Sequence, residues 1–211
     1  MNELSADLVG RLRAVAEARA TSEPAHDFLH VLRVTASARR IAEKEGARLD
    51  IVIPAALLHE LFNYPKGHPD SPLSGEVCAG HARGVLLGEG CNEALAEAVA
   101  TCIREHPFSR GIRPATIEGK VLQDADRLDA IGAIGIARCM ATCAEMKRPF
   151  YAPKDPFCSA RAPDDKAWGI DHFFAKLLRI PDVLHTDTAR AMASERVAAM
   201  TGFLAQLARE I

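Results

Sequence analysis

Aromatic residues are scarce: eight Phe, two Tyr and one Trp make up 5% of the 211 residues. A β-sandwich core leans on aromatic and β-branched side chains, so this poverty, beside abundant alanine and leucine, points to packed helices. Net charge is nearly absent too. The 26 Lys and Arg against 28 Asp and Glu leave −2, too little to draw the whole chain toward nucleic acid or an anionic membrane. No apolar run approaches the roughly 18 residues of a membrane span. Residues 1–10 have neither the basic start nor the apolar run of a secretory signal, so the expected location is cytoplasmic. The six cysteines (Cys78, Cys91, Cys102, Cys139, Cys143, Cys158) contain no C-x-x-C pair, which argues against a zinc ribbon. They are expected as reduced thiols that mostly fill the core. Internal repeats, low-complexity tracts and long alternating segments are also missing, so nothing argues for a sheet or a repeat array.

What is present is an apolar content of 48%, enough for one full core at this length. Leu4, Leu8, Leu12 and Val15 recur at helical spacing over 3–19. Phe28, Leu29, Val31, Leu32, Ala36, Ala38 and Ile41 form a stripe over 25–45, and Gly46 is a natural C-cap. Asp50 is expected to cap a helix running to about Glu60, with Pro54 in its first turn. Residues 63–75 hold three prolines and two glycines and read as a loop. Helical patterns resume over 76–89, 93–105 and 115–129. The small, apolar run Ala130–Ala137 reads as a closely packed buried helix. Residues 147–165 form a second proline-rich loop, with Lys147, Arg148 and Lys154 as a basic lid or a solvated connector. A helix over Trp168–Leu178, broken by Pro181, and a last helix over 186–209 complete an all-α, multi-helix reading of a single domain.

Three groups carry candidate chemistry. His26 and His30 stand one turn apart at the start of a helix, which places both imidazoles on one face. His59-Glu60 follows the apolar run Ile51–Leu58. Asp124, Asp126 and Asp129 sit inside an apolar segment where Val121, Leu122, Ala125, Leu128 and Ile131 describe a buried helix. Buried carboxylates require partners; Arg127 and Lys120 are available, and a metal ion would serve better. Imidazole nitrogens with carboxylate oxygens suit a borderline or hard divalent ion, while the absence of cysteine from the group disfavours a structural zinc site. Each residue also has a plainer role open to it: a bonded core histidine, a helix end, an internal salt bridge. Spacing alone does not join them.

The strings HDFLHVLRV, AALLHE and VLQDADRLDAIGAIGIAR resemble the HD-domain superfamily of metal-dependent phosphohydrolases. Residues 63–66 and 106–109 are similar to a small bacterial single-domain subgroup of it that includes nucleotide-pyrophosphate-cleaving proteins. The resemblance spans about 24–180, with the helix over 186–209 expected to pack on that core. It implies a single-domain HD bundle whose metal ligands are His30, His59, Glu60 and Asp126, holding one divalent ion (Mn, Fe, Ni, Mg or Zn). Two departures stand out. Glu60 replaces the family's aspartate and adds one methylene, so the carboxylate either still ligates, swings out, or weakens the site. Cys78-Ala79-Gly80 stands where related sequences carry a serine and a glutamate.

The implied reaction is attack of metal-activated water on a nucleotide or another small phosphate ester or anhydride. Phosphoryl transfer needs positive groups around the developing charge. The catalytic candidates are therefore Lys66 as a phosphate clamp, His106 as general acid or second phosphate contact, and Glu60; His26 is read as holding a helix start or a phosphate oxygen. The expected partner is a small phosphate compound, without a membrane or extended nucleic acid; self-association is left open. Two alternatives remain: an HD-like binding module impaired by Glu60, and an iron oxygenase on the same scaffold, for which His81 and His106 are the available extra ligands.

Overall fold

The computed structural model describes residues 4–21, 27–65, 68–107 and 110–211. Among them the regular structure is entirely helical, with no strand: α1 Ala6–Arg19, α2 Phe28–Glu45, α3 Leu49–Leu58, α4 Ser74–Gly88, α5 Glu93–Glu105, α6 Ile117–Asp129, α7 Gly132–Glu145, α8 Asp171–Ala175 and α9 Asp187–Leu207. The 3₁₀ segments Ser71–Leu73 and Leu177–Val183 supplement them. None of the described helices is long and apolar enough to cross a membrane. The chain divides into two compact units, Met1–Asp126 and Arg127–Ile211.

In the first unit α3 is the centre. All ten of its residues are buried, as a helix apolar on every side must be, and α1, α2 and α5 pack on it while α4 packs on α5. Fully burying a side chain such as Leu58 contributes about 1.5–3 kcal/mol. Local signals set the helix ends. The Asp27 carboxylate accepts from the His30 backbone N–H at 2.8 Å and caps α2, and Gly46 closes that helix at φ +71°, the left-handed region glycine tolerates best. Leu29 of the α2 stripe is 60% exposed, so it lies off the buried face. α3 begins two residues earlier than expected: its N-cap is Arg48, and Asp50 lies inside the first turn, where Arg48 Nη2 donates to it at 2.7 Å. Pro54 therefore lies in the second turn and supplies no N–H to the ladder.

In the second unit α7 packs on α9, and the 3₁₀ segment Leu177–Val183 packs on α8 and α9. α7 runs to Glu145, well past Ala137, and one side faces out, with Ile134 38% exposed. Gly132 opens it at φ +80°, and a Cβ there would stand 3.1 Å from the Arg196 side chain of α9. The helix expected over 168–178 is shorter. Gly169 and Ile170 donate their N–H groups to the carbonyls of Pro149 and Phe150, at 3.0 and 2.7 Å. Only Asp171–Ala175 is α-helical, and Pro181 lies within the following 3₁₀ segment. Two of the basic residues near 147–165 are structural pins: Arg148 donates to the Asp165 carbonyl, and Arg161 pairs with the fully buried Asp171. Lys147 and Lys154 are exposed.

Candidate metal centre

His30 enters the site from the first turn of α2, held by the Asp27 cap. His59 and Glu60 follow the last residue of α3, and Asp126 stands near the end of α6. Both imidazoles are buried, at 0% and 1% exposure, while Glu60 and Asp126 are partly accessible. One donor atom each from His30, His59 and Glu60 lies within 4.8 Å of the others, the one such trio of His, Cys, Asp or Glu among the described residues. Asp126 Oδ1 comes within 3.5 Å of His30 Nε2.

The chemistry centres on His30 Nε2. It lies 3.3 Å from His59 Nε2, 3.5 Å from Asp126 Oδ1 and 3.9 Å from Glu60 Oε1. His59 Nδ1 is 2.7 Å from the Ala56 carbonyl. A carbonyl only accepts, so Nδ1 carries the proton and Nε2 of the neutral ring is an acceptor. Burial pushes the His59 imidazole down to about 4, against an ordinary 6.5, which keeps that ring neutral. Three acceptors thus face one nitrogen that can supply a single N–H. A cation answers the trio: ligands about 2.1 Å from a divalent ion lie roughly 3.0–4.2 Å from one another, and the spacings among His30, His59 and Glu60, from 3.3 to 4.0 Å, fall inside that span, with Asp126 beside His30 but outside the trio. The donor set fits a divalent ion.

Glu60 does not swing away. Its Oε1 lies 4.0 Å from His59 Nε2, and Asn63 donates its amide to Oε2. The extra methylene is accommodated at the free end of α3, with Asn63 as a holder that spacing gave no reason to single out. Cys78 acts as a donor: its thiol lies 3.1 Å from the His59 carbonyl and 3.4 Å from that of Leu58. Burial pushes this thiol up to about 11, so it stays protonated.

His106 follows α5 as His59 follows α3. Its Nδ1 is 2.6 Å from the Ile103 carbonyl, and its ring packs edge-to-face on His59 with centroids 5.3 Å apart. It lies outside the trio, as does His81, which sits by Phe62 and Arg19. His68 stacks on Tyr64. Asp124 is fully buried, and Asp129 accepts from Arg138 Nη1 at 2.9 Å. Arg127 donates to the Val183 carbonyl. Lys66 and His26 lie outside the described residues, and with them the phosphate clamp and the shared face of His26 and His30.

The HD domain family matches residues 27–131. The uncharacterized protein YpgQ of Bacillus subtilis is 38% identical over 190 residues, 88% of this chain and 84% of its own length. The crystal structure of YpgQ in complex with ADP superposes with a TM-score of 0.77 at 35% identity, covering 97% of this chain and 95% of that one. An HD-superfamily hydrolase from Bacillus thuringiensis gives a TM-score of 0.73 at 30% identity, covering 97% and 94%. The chain belongs to the HD-domain superfamily.

Proposed function

We propose that this protein is a metal-dependent phosphohydrolase that acts on a nucleotide or another small phosphate ester or anhydride, with His30, His59, Glu60 and Asp126 as ligands to one divalent ion. The observation that carries this reading is the convergence of three acceptors on His30 Nε2 at 3.3–3.9 Å. The ADP held by YpgQ, a relative covering 97% of this chain, supports a nucleotide as the substrate class. A divalent ion supplies charge for phosphoryl oxygens and lowers the pKa of a coordinated water.

The chain's own groups would do the rest. His30 and His59 would hold the cation, the His59 ring fixed by its bond to the Ala56 carbonyl, and Glu60 is steadied by Asn63. His106 directs its Nδ1 proton at the Ile103 carbonyl, so Nε2 would be the atom that exchanges a proton with the attacking water. To act as general acid or to donate to a phosphate oxygen, it must first become imidazolium. Lys66, six residues after Glu60, is the proposed phosphate clamp.

The test is release of phosphate or pyrophosphate from nucleoside di- and triphosphates by manganese-loaded protein, with loss in His59→Ala. No turnover across a broad nucleotide and phosphomonoester panel, with metal shown to be bound, overturns the reading. That outcome favours a binding module, the reading that Glu60 in place of aspartate motivates. Counting ions per chain separates the oxygenase, since two irons need ligands beyond this trio.

A further inference from the structure

The helix end that carries His106 is tied down by side chains. Its last four carbonyls have no partners within the helix, and each receives a donor from elsewhere. Ile103 O takes the His106 ring at 2.6 Å, and Arg104 O takes Arg110 Nη1 at 2.9 Å. The remaining two, together with the loop beyond, are served by one residue of another helix. Gln123, 1% exposed on α6, places its amide nitrogen 3.1 Å from Glu105 O, 3.3 Å from His106 O and 3.0 Å from Ile112 O. A primary amide has two N–H groups, so three carbonyls share two donors and are drawn to one point.

The same plan appears at the end of α3. There the His59 ring bonds back to the carbonyl three residues earlier, and the His59 carbonyl receives the Cys78 thiol of α4. In both places a histidine just beyond a helix is fixed twice, by its ring to its own helix and by its carbonyl to a side chain of another. Gln123 also stands three residues before Asp126, so one turn of α6 carries both a proposed metal ligand and the holder of His106.

We propose that Gln123 is a positioning residue that sets His106 against His59, with Nδ1 protonated toward Ile103 and Nε2 left as an acceptor for the proposed reaction. This rests on the phosphohydrolase reading for its catalytic consequence but not for its structural one.

The experiment uses Gln123→Met, nearly isosteric and without donors, in the full chain. Two readouts are taken: the His106 tautomer from the ring-nitrogen shifts of histidine-labelled protein, and steady-state turnover of a nucleoside triphosphate with manganese. Wild type is expected to show a single Nδ1–H tautomer. The variant is expected to show a mixture, with kcat about 10–100-fold lower and bound manganese unchanged. Because Gln123 acts through His106, the double variant with His106→Gln is expected to be no slower than His106→Gln alone. An unchanged tautomer with unchanged kcat, or multiplicative losses in the double variant, overturns the proposal even if the melting temperature falls. Should Gln123→Met fail to fold, Gln123→Asn keeps the amide, shortens its reach and yields the same readouts. If wild type turns over no substrate, the functional reading fails, and the tautomer still decides the positioning claim.

Discussion

Buried carboxylates of the second unit meet guanidinium groups. Asp129 accepts from Arg138 at 2.9 Å, and fully buried Asp171 takes both terminal nitrogens of Arg161 at 2.5 and 2.7 Å and the Asp164 N–H at 2.7 Å. At the end of α3, in the first unit, acceptors face acceptors: His59 Nε2, Glu60 Oε1 and Asp126 Oδ1 surround His30 Nε2. Both arrangements bring buried polar groups together. One closes donor on acceptor and is complete, as a structural fastener should be. The other concentrates lone pairs, an arrangement that an added positive charge would satisfy. The kind of mismatch, more than burial, marks a place for an ion.

This contrast can be broken in several ways. The largest effect is expected from His59→Ala, which should weaken manganese binding by more than the roughly 10–100-fold typical of losing an outer-shell partner. Calorimetric titration measures it, and affinity within threefold of wild type would refute the role. Arg138→Met removes one charged donor from buried Asp129 and should cost about 1–3 kcal/mol in denaturant unfolding while leaving manganese affinity unchanged. A parallel loss of metal binding would erase the distinction between the units.

A pH series sharpens the comparison. His59 is held at about 4 against an ordinary 6.5, so between these values the unfolded chain binds a proton that the folded chain refuses. Stability of the metal-free protein therefore rises with pH through that window. The His59 share, at most about 3 kcal/mol, is fully present above 6.5 and lost on approach to 4. Unfolding free energies of wild type and His59→Gln at pH 4.5 and 7.5 report it; a gap of the same size at both values refutes it. Smaller still is Glu60→Asp, expected to change manganese affinity by no more than about tenfold, or about 1.4 kcal/mol, because Glu60 already faces the trio. A gain of two orders of magnitude would show that the glutamate impairs the site. Cys78→Ala should cost about 1 kcal/mol, read as a small drop in melting temperature.

Helix periodicity was read well where one face is apolar over several turns. The spans of α2, α5, α6 and α9 lie within three residues of their expected starts. It failed at residues 168–170, where Gly169 and Ile170 bond to Pro149 and Phe150 and α8 starts only at Asp171. Leu29, one of the seven apolar residues of the α2 stripe, is 60% exposed because seven such residues span more than one face. Candidate chemistry was legible as residue types: a histidine early in α2, a histidine–carboxylate doublet, and aspartates in an apolar helix. Gln123 was not, although its signal was available. It is a polar residue within the run 121–125, every member of which is buried, and a buried amide requires partners.

From the amino-acid order alone follow the helical class, most of the helix spans, the cap at Gly46, and the short roster of groups able to hold a cation. These are matters of a 3.6-residue period and of bonds three or four residues long. Only the folded arrangement decided that His30, His59 and Glu60 meet within 4.8 Å with Asp126 beside His30, that Glu60 turns inward, and that Gln123 secures the far end of α5. Separations between side chains on different helices depend on how whole helices pack, and no pattern within one of them encodes that distance.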